Sequence, residues 1–320
     1  MHHRSAQALG IVRAARVHSI LDLVGSTPVV RLNRVIPPGS ATVWVKLESA
    51  NPGGSVKDRI ALSMVQAAEA RGSLKPGMRL LEATSGNTGI GLAFVAAAKG
   101  YPLTLVMPDS MTVERRALLK AYGATLVLTP GPLGMKEAVR VAAEMAERDG
   151  SFFYVRQFEN SDNPVVHEKT TAEELLAQVP ELDAFVAGVG TGGTVTGVGR
   201  VLRARAPHVR IVAVEPASSP LLTKGVAGPN KIQGIGANFI PPVLDRTAYD
   251  AVEDVEYEDA IAMQRRLTRE EALLSGISTG AIVHAAAKVA RELGKGKTVV
   301  AVLCDTGERY LSHELYAGLQ

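Results

Sequence analysis

The chain is poor in cysteine, in aromatic residues and in long apolar runs. Cys304 is the only thiol among 320 residues. That excludes an intramolecular disulfide framework and a multi-cysteine metal centre, and it suits a reducing compartment such as the cytoplasm. Lysines and arginines are scattered and never form a basic run interleaved with aromatics, so nucleic-acid binding has no support. The formal net charge of +3 is compatible with small anionic ligands. No apolar run approaches the roughly 18 residues a membrane span requires. The first twenty residues carry Arg4, Arg13 and Arg16 and no acid. This superficially resembles an organelle transit peptide, but no serine-rich extension follows, and the arginines interrupt the apolar stretch a secretory signal needs.

What is present is an alternation. The strand-like runs TVWVKL, RLLEA, PLTLVM, ATLVL, SFFYV, DAFVAGV, RIVAVE and KTVVAVL are separated by segments such as IGLAFVAAAKG, in which apolar residues recur at helical spacing and a glycine closes the helix. This predicts an α/β fold with mainly parallel sheets, and two sheets rather than one of eight or more strands. Turn-forming stretches at Asn51 to Gly54 and Gln157 to Pro164 divide the chain into residues 1–49 with 159–320 and an inserted unit, 50–158. Ligands are expected in the cleft between the two.

Several motifs compete to define the chemistry. In NPGGSVKDR, Lys57 and Arg59 open a helix at the end where the macrodipole favours an acid. Either the lysine points into solvent or its amine is wanted in neutral form. GVGTGGTVTGVG places Gly188, Gly190 and Gly193 as a G-x-G-x-x-G between strand and helix, with Glu215 ending the next strand, which fits a nicotinamide dinucleotide. Its dense centre, Gly190, Thr191, Gly192, Gly193 and Thr194, suits a compact terminal phosphate at least as well. In GISTG, Ser278 lacks the preceding strand a hydrolase elbow needs, and Ser278 or Thr279 reads as a helix cap. GKGKT fails as a P-loop because Arg291 stands where its first glycine belongs. In EATSGNTGIG, Thr84, Ser85, Gly86, Asn87 and Thr88 lie between a strand and a helix N-terminus, where hydroxyls, an amide and free backbone N–H groups would hold a carboxylate.

A lysine beside a phosphate cradle and a carboxylate cradle fits pyridoxal 5'-phosphate chemistry on an amino acid. A helix N-terminus and neighbouring positive groups disfavour the protonated amine, leaving Lys57 a nucleophile and a base. With these blocks in hand, the chain resembles the cysteine synthases (O-acetylserine sulfhydrylases), within the pyridoxal-phosphate enzymes of the tryptophan synthase β-subunit fold. The likeness runs from ILDLVGSTPVVRL at Ile20 to DTGERYLS at Ser312, with NPGGSVKDRI, TSGNTGIGLA, MPDSMTVERRALLKAYGA, GVGTGGTVTGVGR, KIQGIGANFIP and GISTGA in the family's order.

The resemblance implies that Lys57 forms the Schiff base and that 190–194 is the phosphate loop. It places Thr84, Ser85, Gly86, Asn87, Thr88, Gln157 and Gly234 around the substrate, with Asn87 also on the cofactor's phenolic oxygen. Thr306 takes the hydroxyl position facing the pyridine nitrogen, with Asp305 the rival. The implied reaction is β-replacement: O-acetyl-L-serine loses acetate to give an aminoacrylate, and sulfide adds to form L-cysteine. The resemblance further implies a smaller domain that closes on the substrate, a homodimer, and serine acetyltransferase as a partner through its C-terminal tail. Departures lie at Thr279, where the family commonly has serine, and at Asn238, in a loop expected near the substrate side chain. Related members use O-phosphoserine, for which Arg116 and Arg246 are candidate contacts, or serine. The longer cystathionine β-synthases are disfavoured because no regulatory domain follows Gln320. A nicotinamide-dependent oxidoreductase is the alternative from another class, and it leaves Lys57 and the second cradle unexplained.

Overall fold

Apolar runs without alternation, such as LTLVMP and TVVAVL, belong to strands buried on both faces, and both are buried along their whole length here. The computed structural model describes residues 16–84 and 86–311. The arginines at 4 and 13, Ser85 in the TSGNTG block, and 312–320 lie outside the described residues.

Ten strands are described: β1 (Val29–Arg31), β2 (Thr42–Leu47), β3 (Arg79–Ala83), β4 (Leu103–Pro108), β5 (Thr125–Thr129), β6 (Phe152–Tyr154), β7 (Ala184–Gly188), β8 (Arg210–Pro216), β9 (Ala251–Val255) and β10 (Thr298–Leu303). The helices are α1 (Lys57–Ala70), α2 (Asn87–Lys99), α3 (Val113–Ala121), α4 (Gly134–Arg148), α5 (Asp162–Val166), α6 (Ala172–Gln178), α7 (Gly193–Arg205), α8 (Leu221–Lys224), α9 (Tyr257–Glu271) and α10 (Ile277–Leu293). The strands form two sheets, one of six in the order β1-β2-β10-β7-β8-β9 and one of four in the order β5-β4-β3-β6. Every pairing is parallel except β1 with β2. The four-stranded sheet lies in sequence between β2 and β7, so the chain leaves the larger sheet after Leu47 and re-enters it at Ala184. The α/β architecture with two mainly parallel sheets is thus the one the alternation predicts. The periodicity misses β1 and β9. Both are edge strands, only half-buried, and AVEDV carries two acids that break its apolar run.

Each sheet is covered on both faces. Alternate residues of β10 show it: Val299 and Ala301 join the core under α9 and α10, whereas Val300 and Val302 join the one under α6 and α7. In the smaller sheet Leu80 and Leu105 meet α1 and α2, and Leu81 and Val106 meet α4. Gly91 sets the spacing of α1 and α2. A Cβ there would lie 3.0 Å from the carbonyl oxygen of Lys57 and 3.2 Å from the Ala61 side chain, so a larger residue would press the start of α2 away from the start of α1. Among the described residues no helix is long and apolar enough to cross a membrane.

The second cation at the start of α1 has a structural explanation. Arg59 is 1% exposed and its guanidinium meets Glu48 and Glu174, each at 2.7 Å, while Lys46 meets Glu174 at 2.6 Å. Thr27 completes the cluster through Glu48 and Arg59. Two cations and two anions from β2, the turn after it, α1 and α6 satisfy one another, which fastens the first turn of α1 to the larger sheet. Removing one partner of a buried charge cluster strands the others. Arg59→Met is therefore expected to lower unfolding stability by about 3–5 kcal/mol, read from urea denaturation. A loss below about 1 kcal/mol would show that the cluster is not needed to hold α1.

Candidate active site

Lys57 is the first residue of α1 and lines two connected hollows between the sheets. One, about 740 Å³, is walled by Thr84, Gly86, Asn87, Thr88 and Gln157 on one side and by Gly190, Gly234, Ser278 and Cys304 on the other. The second, about 360 Å³, is walled by the whole run from Gly190 to Thr194. Among the described residues no hydrogen-bond or ion-pair partner meets the Lys57 amine. Burial lowers its pKa, with Cys304 and Asp305 pulling weakly the other way. The neutral amine expected from sequence is therefore favoured for a different reason. Arg59 is turned away into its carboxylate cluster, and desolvation dominates instead of repulsion between cations.

The run expected to cradle a phosphate forms the turn from β7 into α7. Gly192 adopts φ +83°, a left-handed conformation glycine takes without strain, and it turns the chain into the first amides of α7, which have no intrahelical acceptors. The turn is packed from behind. Asn163 Nδ2 donates to Thr191 Oγ1 at 3.0 Å, and a Cβ on Gly193 would sit 1.8 Å from Asn163 Oδ1. Thr194 Oγ1 lies 3.3 Å from Nε2 of His167, whose pKa burial drives well below its usual value, so the ring is neutral. Asn163 and His167 escape the sequence reading because their stretch reads as a loop. The signal was the cluster of Asn and Asp before Pro164.

The run expected to hold a carboxylate leads from β3 into α2. Gly86 N–H donates to Thr84 Oγ1 at 3.3 Å and Thr88 Oγ1 donates to Gln157 Oε1 at 2.6 Å. The Gln157 backbone N–H in turn donates to Glu82 Oε2 at 3.1 Å. Glu82 is a buried carboxyl that sequence reasoning missed, hidden inside RLLEA. Gly234, at φ +96°, brings its carbonyl against Gly190, where a Cβ would be 2.4 Å away.

Other predicted residues are placed elsewhere. Thr306 does not line the cleft: its backbone bridges Ser275 and its N–H reaches the Gly54 carbonyl. Asp305 is also off the lining, its Oδ2 accepting from Asn87 and Tyr310. A hydroxyl that does line the cleft beside Cys304 is that of Ser278. Neither Ser278 nor Thr279 caps a helix. Gly276 is the N-cap of α10, and Thr279 Oγ1 accepts the Cys304 N–H. Burial pushes the Cys304 thiol up to about 12, which keeps it protonated although it lines the cleft. Asn238 turns away from the cleft and accepts from Ser219 at 2.8 Å. Glu215, the acid of the dinucleotide fingerprint, is consumed by the Leu222 and Thr223 amides at the start of α8, which leaves the nicotinamide reading without its ribose contact.

Two parallel-sheet layers with a desolvated lysine and two anion-suited helix starts define an enzyme that works on a small amino acid through a phosphorylated carbonyl cofactor. The chain belongs to the pyridoxal-phosphate dependent enzyme family, whose model matches residues 20–305. It is 55% identical to a cysteine synthase of Staphylococcus aureus (strain N315) over 303 residues, 94% of this chain and 97% of that one. It is 51% identical to the O-ureido-L-serine synthase of Streptomyces lavendulae over 304 residues, 94% and 93% of the two chains. A crystal structure of cysteine synthase from Entamoeba histolytica superposes with a TM-score of 0.91 at 40% identity, covering 95% of this chain and 92% of that one.

Burial pushes the Glu82 carboxyl up to about 8, against backbone N–H groups that lower it. The raised value means the folded protein holds a proton that the unfolded chain has released once pH passes about 4.5. Its stabilising contribution is complete below that pH and is lost as pH rises to about 8. Relative to Glu82→Gln, the wild type is expected to lose roughly 3–5 kcal/mol between pH 4.5 and 8, measured by urea denaturation at each pH. Parallel curves for the two proteins would contradict it.

Proposed function

We propose that the chain catalyses β-replacement on an activated serine, converting O-acetyl-L-serine and sulfide to L-cysteine and acetate. The observation that carries this reading is the desolvated amine of Lys57, without a hydrogen-bond or ion-pair partner among the described residues, between two helix starts, α7 suited to a phosphate and α2 to a carboxylate. The cysteine synthase relatives support the substrate class.

Pyridoxal phosphate, when bound, supplies a carbonyl carbon for the Lys57 amine and a ring that takes up the electrons left at the amino acid's Cα. The first amides of α7, with the hydroxyls of Thr191 and Thr194, would hold its phosphate. Ser278, which lines the cleft where Thr306 does not, would offer the ring nitrogen a hydroxyl. A hydroxyl does not hold a proton on that nitrogen as a carboxylate would, which favours elimination over transamination. Thr84, Ser85, Gly86, Asn87, Thr88 and Gln157 hold the donor's carboxylate, with Gln157 fixed by Thr88 and Glu82. Lys57 Nζ, its pKa lowered by desolvation, removes the Cα proton; the Cβ–O bond breaks and acetate departs. Sulfide then forms the Cβ–S bond, and Lys57 returns a proton to Cα. Carboxylate binding at the start of α2 draws residues 50–158 toward the larger sheet and excludes water.

Lys57 is the only cation among the described residues lining the larger hollow; neither Arg116 nor Arg246 lies there. That favours a neutral acetyl leaving group over a phosphate. A second reading keeps the donor and changes the nucleophile. The O-ureido-L-serine synthase relative at 51% identity favours it, and hydroxyurea is the nucleophile that would form such a product. By its resemblance the protein is further assigned to the cytoplasm as a homodimer, with the same cleft accepting the C-terminal tail of a serine acetyltransferase.

The test is the absorption spectrum of the protein reconstituted with pyridoxal phosphate. A yellow band that moves to longer wavelength with O-acetylserine and returns with sulfide is expected, with Lys57→Ala losing turnover by at least about 10³-fold. A return with hydroxyurea but not sulfide would establish the second reading. A yellow protein that ignores O-acetylserine would overturn the donor, and serine and O-phosphoserine would be tried next.

A further inference from the structure

Asn87 opens α2 on the smaller sheet, and both ends of its side-chain amide are held by the segment that follows β10 of the larger one. Its Oδ1 accepts from Arg309 Nη1 at 2.6 Å, and its Nδ2 donates to Asp305 Oδ2 at 2.6 Å. The two ends of an amide look alike in shape, but a guanidinium can only donate and a carboxylate can only accept. The pair therefore fixes which end is which. Among the described residues it leaves Asn87, which lines the cleft, with one N–H uncommitted.

The two holders are themselves anchored. Asp305 is fully buried, its Oδ2 also accepts the Tyr310 hydroxyl at 2.6 Å, and its backbone bridges Ser55. Arg309 donates through Nη2 to the Gly53 carbonyl, and the Gly53 N–H donates to Asp58. The orientation of the Asn87 amide is thus tied to the loop that delivers Lys57.

Resting on the reading of the cleft as a site for an amino acid and pyridoxal phosphate, we infer that Asp305 and Arg309 are positioning residues that lock the Asn87 amide as a hydrogen-bond donor toward a ligand oxyanion. Without them the amide can turn its oxygen into the cleft, where it repels a carboxylate or a phenolic oxygen. Two ligand groups share that chemistry, the amino acid's carboxylate and the ring oxygen of the cofactor.

The experiment titrates the pyridoxal-phosphate-loaded enzyme with L-alanine, which carries the carboxylate but no leaving group, and follows the shift of the cofactor's absorption. Asp305→Ala and Arg309→Met are each expected to raise the dissociation constant about tenfold, whereas Asp305→Asn, which keeps an acceptor for Asn87 Nδ2, stays within about threefold of wild type. In an Asn87→Ala background the same two changes are expected to alter it less than twofold, because the group they position is gone. A resting band that also shifts in the two variants assigns the oxyanion to the cofactor, and one that stays still assigns it to the substrate. Equal losses in both backgrounds, or no loss in the wild-type background, overturn the inference; Arg309→Met alone decides it if Asp305→Ala fails to fold. A wild type that takes up no cofactor overturns the functional reading and this inference with it.

Discussion

The pairing of Arg59 with Glu48 and Glu174 is the interaction on which the rest of the molecule depends. A helix that begins with two cations opposes its own dipole, and α1 is stable in this setting because the second cation is neutralised by carboxylates from outside the helix. With Arg59 committed there, the first cation is left alone in the cleft. Lys57 loses its water without gaining a hydrogen-bond or ion-pair partner among the described residues, and desolvation lowers its pKa against the opposing pull of Asp305. The ion cluster and the neutral lysine are two results of one local design, separated by two residues of sequence.

Around that lysine the two sheets contribute equivalent devices. Each places a strand end, a glycine-rich turn and a helix N-terminus at the cleft, α2 from the smaller sheet and α7 from the larger. Both turns are stiffened from behind by polar groups that do not line the cleft: Glu82 behind Gln157, and His167 behind Thr194. Small apolar contacts decide the spacing. Gly91 brings α2 against the carbonyl of Lys57, and Gly190 lets the Gly234 loop close over the phosphate turn. The chemistry is carried by few side chains, and much of the remaining constraint is backbone packed too closely for a Cβ.

Local sequence made a large part of this legible. Continuous apolar runs identified the central strands because burial on both faces leaves no alternation to confuse with a helix. The glycine and hydroxyl clusters at 84–88 and 190–194 could be read as anion sites because a helix start exposes amides whatever lies around it. What failed has one cause in each instance. The edge strands β1 and β9 are short and half-exposed, so their composition is not that of the core. Thr306 and Ser278 are both hydroxyls beside the same strand end, and only the packing of 305–310 against Ser275 and Gly54 takes Thr306 off the cleft. Asn238 sits in the right loop, but at φ +63° its side chain turns toward Ser219.

The sequence by itself determined the class of fold and singled out Lys57 and the two anion-suited turns, because each rests on contacts within a few residues of chain. The tertiary structure alone decided which charges neutralise which. Glu48 meets Arg59 from 11 residues away, Glu174 meets it from 115, and Asp305 and Arg309 reach Asn87 across 218 and 222. A carboxylate or guanidinium has the same composition wherever it lies, but its effect depends on distance and on the water removed around it, and folding alone sets both.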